Sequence, residues 1–303
     1  MNNTNKYSFL LVAMLLLTGL LSSCLKEDLS DCPRPFQVTI KALDADLNDI
    51  TEDGAVQQVI LFVFNEHGQV VYAFELTADQ IKNRKPIDIK LDYPGYDNLT
   101  FVAWGNLDEK VDFSQINTVK QMQDLYVKLK KQNGIAQTSG DLFHGTINVP
   151  VEYGGIEYGT SHVVEISRKT AGVTITTVEL KQWNGNKEGA YSYVVRESLD
   201  TYDQDGNLTG NSVSYSPPAD FQANGNFVAP IFYAFPPVPG KSFVVDILFN
   251  GEVIFTADKD SDGNPFVPEL GRTLNILIVL SAKLQVKSIV TPWNVVYQYV
   301  EYK

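Results

Sequence analysis

Short apolar runs alternate with turn signals about every ten residues, and this pattern constrains the fold more than any other feature of the chain. Residues 36–42 alternate apolar and polar side chains, as a strand with one solvent-facing side does. Residues 59–64 are apolar at six consecutive positions and rich in β-branched and aromatic types, which predicts a central strand. Hairpin signals stand at Asn65-Glu66-His67-Gly68, Asp205-Gly206 and Asn250-Gly251. Strands and turns at this spacing predict β-sandwiches.

One segment departs from the β pattern. Its apolar residues recur at spacings of three and four, with a glycine just beyond the end: Ile116, Val119, Met122, Tyr126, Leu129 and then Gly134. This periodicity predicts a short amphipathic helix. We therefore expect an all-β chain of two tandem Greek-key β-sandwich domains, residues 36–160 and 161–303, with this helix in the first. The boundary is placed in the glycine-rich loop 153–159.

Residues 1–23 have the composition of a lipoprotein signal peptide. One base, Lys6, precedes the apolar run 9–21, which as a helix is too short for a hydrocarbon layer of about 30 Å. The run ends in the lipobox Leu21-Ser22-Ser23-Cys24. The pattern predicts cleavage before Cys24 and acylation of that cysteine, which would anchor the protein to the outer membrane through a tether, residues 24–35. An ordinary signal peptide with a coincidental cysteine is the alternative.

Charge and cysteine content narrow the classes of partner. The 36 acidic residues against 24 basic ones give a net charge of −12, which argues against nucleic acid because phosphate contacts need a basic face. If Cys24 is acylated, Cys32 has no intramolecular partner. Cys32 is either buried or available for an intermolecular bond, and we expect it to be buried or inert.

No catalytic signature is present, and we expect no enzyme activity. We find no nucleophile elbow, zinc-protease motif or phosphate-binding glycine loop. Three tryptophans offer stacking surfaces for sugars. Trp104 lies in an apolar run and is expected in the core, whereas Trp183 is expected to be exposed. A surface lipoprotein that binds glycans is therefore the alternative function.

One group of acidic residues late in the chain has the spacing of a metal-binding loop. Asp258, Asp260, Asp262, Gly263 and Glu269 match the spacing of a calcium loop. The competing interpretation is an acidic hairpin turn, because two prolines interrupt the motif and strands flank it. No other cofactor is expected.

Several motifs carry a resemblance along the whole mature chain. They are Cys24-x-x-x-Asp28-x-x-Asp31-Cys32-Pro33, Ala103-Trp104-Gly105-Asn106, Asp141-Leu142-Phe143-His144-Gly145 and Ser167-Arg168-Lys169-Thr170-Ala171. Together they resemble the FimB-type fimbrial anchor lipoproteins of Bacteroidales type V pili. The short charged run after Cys24 is similar to the surface-export signal of Bacteroidetes lipoproteins, which implies an exposed cell-surface location. The resemblance implies two transthyretin-like sandwiches, a fimbrial stalk subunit as partner, and a role in holding the pilus to the outer membrane and ending its growth.

The resemblance also implies assembly by strand donation. In this pilus type a stalk subunit loses its first strand by cleavage after an arginine, and a strand of the next subunit fills the groove. Here Arg34 is followed by Pro35, a bond that trypsin-like enzymes cut poorly. We therefore expect the first strand, with Phe36, Val38 and Ile40, to stay in place. The candidates for donation lie in the last alternating segment, residues 293–302: Trp293, Val295, Tyr297 and Tyr299.

Overall fold

A computed structural model describes residues 28–92, 94–238, 240–281 and 284–297. The signal peptide, Cys24 and Tyr299 lie outside these ranges, so the predictions made for them stay predictions. Within the ranges, no helix is both long and apolar enough to span a membrane. The all-β prediction is confirmed: the described chain consists of strands with two short α-helices and two 3-10 turns.

The strands in chain order are β1 Phe36–Leu43, β2 Gln58–Asn65, β3 Val70–Thr77, β4 Ile87–Ile89, β5 Asn98–Gly105, β6 Val111–Phe113, β7 Tyr126–Leu129, β8 Lys131–Gln132, β9 Ile135–Ala136, β10 Phe143–Pro150, β11 His162–Arg168, β12 Ala171–Val178, β13 Tyr191–Asp203, β14 Leu208–Tyr215, β15 Asp220–Phe221, β16 Phe227–Ala234, β17 Val244–Phe249, β18 Glu252–Ala257, β19 Arg272–Val279 and β20 Gln285–Pro292. The helices are α1 Ala78–Lys82 and α2 Leu180–Trp183. The 3-10 turns span Thr51–Asp53 and Met122–Asp124.

The first sheet has seven strands in the order β3-β2-β5-β10-β11-β1-β4. Side chains from one face of all seven strands pack into a single apolar cluster, so the sheet curves around its own core. Helix α1 covers part of this core with Ile81 and begins at a capping box in which Thr77 and Gln80 satisfy each other's backbone N–H groups.

The continuous apolar run in β2 is explained by burial of both faces of this strand. Leu61 and Val63 face the core of the first sheet, whereas Phe62 and Phe64 belong to a second cluster shared with the rest of the chain. The side chains of β5 are likewise split between the two clusters. Trp104 lies in the second cluster, so the prediction that this tryptophan is a core residue is confirmed. The first sheet therefore packs on both sides.

Two further sheets build the rest of the molecule. One has the order β15-β16-β12-β19-β20, and the other has the order β18-β17-β13-β14-β9-β8, with β7 also pairing β13 and β6 pairing β7. Their facing side chains form the second cluster, in which Tyr193, Tyr202 and Tyr215 are large, fully buried residues. The hairpin turns predicted at Asn65, Asp205 and Asn250 join β2 to β3, β13 to β14 and β17 to β18.

The amphipathic helix predicted from Ile116 to Leu129 is wrong. The segment contains a 3-10 turn at Met122–Asp124 and then strand β7, which pairs with β13 from Lys128↔Thr201 to Tyr126↔Asp203. Val127 and Leu129 are buried and alternate with exposed or half-buried neighbours. Long-range pairing with β13 thus overrides a spacing that also fits a helix, because tertiary contacts outweigh local propensity in a short segment.

The sheets do not follow the division expected at residue 160. Strand β11 was assigned to the second domain but pairs with β10 and, in parallel, with β1 of the first sheet. Strands β6–β9 were assigned to the first domain but join the sheet of β13 and β14. The domain boundary itself stays a prediction.

Candidate functional site

The first strand lies inside the first sheet. Strand β1 pairs in parallel with β11 and antiparallel with β4, so its backbone is hydrogen-bonded on both sides. Phe36, Val38 and Ile40 are buried in the core. Strand β1 is therefore an internal strand of its sheet.

Arg34 and Pro35, the two residues before β1, are held by the loop 152–159. The Arg34 backbone N–H donates to the carbonyl oxygen of Glu152 at 2.8 Å, and the Gly159 N–H donates to the Pro35 carbonyl at 2.8 Å. The Arg34 guanidinium donates to the carbonyls of Glu157 and Tyr158, both at 3.3 Å, and lies 3.6 Å from the Glu152 carboxylate. The Arg34 side chain is thus engaged, and its backbone is bound along a loop rather than presented as a free extended segment.

The second strand candidate, residues 293–302, differs from expectation in its described part. The strand is β20, which ends at Pro292 and forms the edge of its sheet. Asn294 follows with a left-handed φ of 59°, and Val295–Tyr297 do not belong to a strand. A strand beginning at Trp293 is therefore wrong for the described residues, because the turn at Asn294 interrupts the extended backbone.

Exposed apolar side chains concentrate around this edge. Val295, Val296 and Tyr297 are 47%, 49% and 48% exposed, and Leu284 and Ile289 are exposed beside them. A groove of about 240 Å³ next to Tyr297 is lined by Asp260, Asp262, Lys287, Ser288 and Ile289. We call residues 284–297 the C-terminal edge. An edge strand flanked by exposed apolar residues is a ready surface for pairing with another chain.

The C-terminal edge is tied to the rest of the molecule at Trp293. The Trp293 ring stacks on Tyr233, with centroids 4.9 Å apart and planes at 12°. The Arg168 guanidinium lies 4.6 Å from the Trp293 ring centroid and 5.0 Å from that of Phe143. Arg168 itself is buried, and its Nε donates to both carboxylate oxygens of Asp141 at 2.9 Å. Burial raises the pKa of Asp141, and the neighbouring Arg168 opposes that rise.

Three of the four motifs that carry the family resemblance, residues 103–106, 141–145 and 167–171, meet at this junction between the sheets. Trp104 and His144 are cross-strand neighbours whose rings lie 4.4 Å apart. His144 Nε2 lies 3.1 Å from the Gln204 carbonyl oxygen, and because a carbonyl only accepts, Nε2 carries the proton. Burial, reinforced by Lys169, lowers the pKa of His144 to about 4, so the ring is neutral at pH 7. The Asn106 side chain donates to the Asp141 carbonyl at 2.9 Å.

Sequence reasoning missed the polar residues under the C-terminal segment. Thr273 and Asn275 are fully buried in β19. Their side chains accept the backbone N–H groups of Asn294 at 3.1 Å and Tyr297 at 3.0 Å, respectively. Thr273 and Asn275 alternate with apolar residues in the sequence, and this alternation is the signal that places them on one face of the strand.

The residues with calcium-loop spacing form a turn held by its own hydrogen bonds, in the link between β18 and β19, which lie in different sheets. Asp260 accepts the N–H groups of Asp262 at 3.0 Å and Asn264 at 2.8 Å, and Glu269 forms an ion pair with Arg272 at 3.1 Å. Asp44 and Asp203 accept the same pair of N–H groups, two and four residues later, in other turns. Across the described ranges, no three acidic, histidine or cysteine groups gather where they could hold a metal ion. Calcium binding by Asp258, Asp260, Asp262 and Glu269 stays an untested prediction.

The remaining predicted residues are placed as follows. Trp183 is 44% exposed at the end of α2, edge-on to Phe255 at 6.2 Å. Cys32 is half-buried and unbridged, and its carbonyl accepts the Gly154 N–H. A lone exposed tryptophan is a weak basis for glycan binding.

Fold and site together define a class: an all-β structural subunit with an exposed edge of the kind through which subunits pair. The chain belongs to the family of fimbrillin-A associated anchor proteins Mfa1 and Mfa2, whose model matches residues 29–299. This family is not a class of enzymes, and its match confirms the resemblance carried by the motifs.

Individual relatives agree with the family. The chain is similar to the major fimbrium anchoring subunit FimB of Porphyromonas gingivalis strain W83, with 42% identity over 308 residues and full coverage of both chains. The FimB of a second strain is 41% identical, again over both full lengths.

Two solved structures share the fold. The fimbrial anchor protein Mfa2 of P. gingivalis superposes with a TM-score of 0.61 at 17% identity, covering 86% of this chain and 98% of that one. A Bacteroides thetaiotaomicron protein, provisionally described as polysaccharide-binding, gives 0.64 at 17% identity, covering 86% and 96%. At this identity the two structures show the fold alone.

Proposed function

We propose that this chain is the anchoring subunit of a fimbrium, which holds the fibre to the cell envelope and ends its growth. The observation that carries the proposal is similarity over the entire length, at 42% identity, to proteins named as major fimbrium anchoring subunits. The filled groove of the first sheet supports the second half of the role. A subunit whose own β1 occupies the groove has no place there for another subunit's strand.

The proposed attachment to the envelope runs through Cys24. Cys24 precedes Cys32 by eight positions, and at Cys32 the chain joins the loop at Gly154. Fully extended, eight residues span about 28 Å. A lipid on Cys24 would therefore keep the first sheet close to the outer membrane, on the cell surface if the export signal operates.

A pair of cysteine variants tests the lipid anchor. Cys24→Ala removes the acylated thiol, and the protein should leave the membrane fraction and lose incorporation of labelled palmitate. Cys32→Ala is the matched control, because it removes a thiol eight residues away and leaves the lipobox intact. Retention of Cys24→Ala protein in washed outer membranes would contradict the lipid anchor.

The proposed contact with the fimbrial stalk subunit is the C-terminal edge. Three arguments support this choice: β1 fills the alternative site, β20 has an unpaired outer side in the described chain, and apolar side chains are exposed beside it. Strand pairing supplies affinity through backbone hydrogen bonds, and exposed apolar side chains supply specificity. Val295 and Tyr297 are the residues that we expect to meet the partner.

Charged substitutions test this contact without truncating the chain. The double variant Val295→Asp, Tyr297→Asp should release most fimbriae into the culture medium, because buried unpaired carboxylates oppose docking. Leu47→Asp is the matched control, since Leu47 is an exposed apolar residue in a turn after β1. Envelope levels of both variants are measured in parallel. If fimbriae stay attached and of normal length with the double variant present at normal levels, the C-terminal edge is not the contact.

A further inference from the structure

Two side chains with apolar surface project into solvent from the loop 152–159, where the tether meets the first sheet. Ile156 is 72% exposed and Tyr158 is 47% exposed. Single exposed apolar residues are common on protein surfaces, so their position has to decide what they do. Here the position is the place at which the chain from Cys24 enters the fold.

This loop is fastened to its neighbours on both sides. Pro33, in the entering chain, pairs with Tyr153 as an isolated bridge. The Tyr153 hydroxyl donates to the Tyr96 carbonyl oxygen at 2.8 Å, and the Tyr158 hydroxyl donates to Asp88 Oδ1 at 3.1 Å. The loop is therefore part of the first sheet's end, and its exposed side chains are presented from a defined position.

The tether brings a membrane to this same end of the sheet. Cys24 precedes Cys32 by eight positions, and a flexible segment of that length has a root-mean-square span of about 16 Å. An acyl chain on Cys24 would therefore hold the loop beside the lipid headgroups. A second contact with the same membrane is then intramolecular, and its effective concentration is so high that a weak affinity for lipid is sufficient.

Ile156 and Tyr158 have the chemistry that suits the boundary between headgroups and acyl chains. Tyrosine combines an apolar ring with a polar tip and is enriched at membrane interfaces. Isoleucine gains free energy when its side chain leaves water. The two residues flank one position, so both can reach the same surface.

The charges around the loop indicate the kind of lipid. The Arg34 guanidinium lies 3.6 Å from the Glu152 carboxylate, and this pair leaves Asp31 and Glu157 as exposed acids beside the loop. An anionic surface would repel these two carboxylates, whereas a zwitterionic surface would not. A zwitterionic phospholipid surface therefore fits the loop better.

The other end of the first strand offers an internal comparison. Strand β1 has eight residues and is about 25 Å long, with the loop 152–159 beside its start and a turn that contains Leu47 after its end. Leu47 is 75% exposed and thus matches Ile156 in exposure. Asp46, in the same turn, forms an ion pair with Arg272 of β19 at 2.6 Å, so this end of β1 faces the rest of the molecule.

We propose that Ile156 and Tyr158 form a second, non-covalent contact with the membrane, in which the loop 152–159 rests on a zwitterionic phospholipid surface beside the acylated cysteine. This inference rests on the proposed function, because the lipid on Cys24 brings the loop to that surface. The contact holds the start of β1 at the lipid and the Leu47 turn away from it. A sideways pull on the fibre then acts on a sheet seated on the membrane, rather than on a flexible tether alone.

Quenching by brominated lipid tests the contact on the full lipidated chain. The chain carries Cys32→Ala, which leaves no free thiol once Cys24 is acylated, and a fluorescent label on Thr160→Cys, an exposed position next to the loop. On phosphatidylcholine vesicles with brominated acyl chains, the label should lose about half of its fluorescence, because the loop lies in the boundary layer. The same label on Leu47→Cys should keep nearly all of it. No quenching at position 160, or equal quenching at both positions, would overturn the proposal.

Substitutions in the loop test the side chains themselves, with the label kept at position 160. Ile156→Asp and Tyr158→Asp should each reduce the quenching, since a carboxylate does not enter an apolar layer, and Ile156→Leu should retain it. Leu47→Asp is the matched control and should leave the quenching unchanged. If Ile156→Asp and Tyr158→Asp chains are quenched as strongly as the parent chain, the contact through these side chains is wrong.

Flotation of the same samples separates this contact from the proposed lipid anchor. If the chain with Cys24 does not float with the vesicles, the lipid anchor fails and the loop contact fails with it. If the chain floats while the label at position 160 stays unquenched, the anchor stands and the loop contact is wrong. Replacing part of the phosphatidylcholine by phosphatidylglycerol should weaken the quenching. If it does not, the choice of a zwitterionic surface is wrong.

Discussion

His144 makes the stability of the fold depend on pH in a predictable direction. The ring is buried between Trp104 and the turn after β13, and burial lowers its pKa from 6.5 to about 4. The unfolded chain therefore binds a proton at acidic pH that the folded chain does not. Stability contributed by this group is complete above pH 6.5 and is lost as the pH falls towards 4.

The size of the effect follows from the two pKa values. One pKa unit corresponds to about 1.4 kcal/mol, so lowering the pH from 7 to 4.5 should remove about 2 kcal/mol of unfolding free energy through His144 alone. His144→Gln keeps a side-chain donor for the Gln204 carbonyl but does not titrate. When the pH falls from 7 to 4.5, the unfolding free energy of the variant should therefore decrease by about 2 kcal/mol less than that of the wild type.

Urea unfolding at pH 7, 5.5 and 4.5, followed by tryptophan fluorescence, measures the difference. Asp141 has a raised pKa and acts in the opposite direction, since acidification relieves the cost of its buried charge. Both proteins contain Asp141, so its contribution cancels when they are compared. If wild-type and His144→Gln free energies fall in parallel from pH 7 to 4.5, the burial argument for His144 is refuted.

Three further outcomes are expected. Gly145→Ala should cost about 3 kcal/mol in urea unfolding, because its Cβ would lie 1.9 Å from a backbone carbonyl oxygen of β11, whereas Gly155→Ala, with nothing nearer than 3.9 Å, should cost far less. Pro35→Ala makes the bond after Arg34 chemically cleavable by trypsin. Mass spectrometry should nevertheless find this bond intact in the folded protein and cut in a peptide of the same sequence. Rapid cleavage in the folded chain would show that the loop 152–159 does not protect the bond. Asp260→Ala should lower the free energy of unfolding by about 1 kcal/mol, because the hydrogen bonds of its turn are lost. The loss should be the same with and without millimolar calcium. A loss that depends on calcium would support calcium binding at this turn.

Strands with a strong local pattern could be predicted from the sequence. The runs at 36–42 and 59–64 correspond to β1 and β2 within one residue at each end. Period-two alternation, or a continuous apolar run with turn residues after it, leaves few other structures open. The turn signals at Asn65, Asp205 and Asn250 were equally local, because hairpin geometry depends on a few adjacent residues.

Segments whose structure depends on a distant partner could not be predicted in this way. Spacing alone suited a helix at 116–129, and only pairing with β13 makes β7 a strand. The edge at β20 is a similar case. The alternation from Trp293 onward looked like the last strand, but the structure turns at Asn294 because Thr273 and Tyr233 bind that residue.

The sequence by itself determined that this is an acidic all-β chain with a lipoprotein-like N-terminus and the motifs of a fimbrial anchor family. Those properties depend on composition and on residues within a few positions of one another. Only the tertiary structure decided which strands share a sheet, that Arg168 and Trp293 meet across 125 positions, and that a buried asparagine, Asn275, lies beneath the C-terminal segment. Such contacts join residues far apart in the chain, and their stability comes from packing and desolvation that no local pattern records.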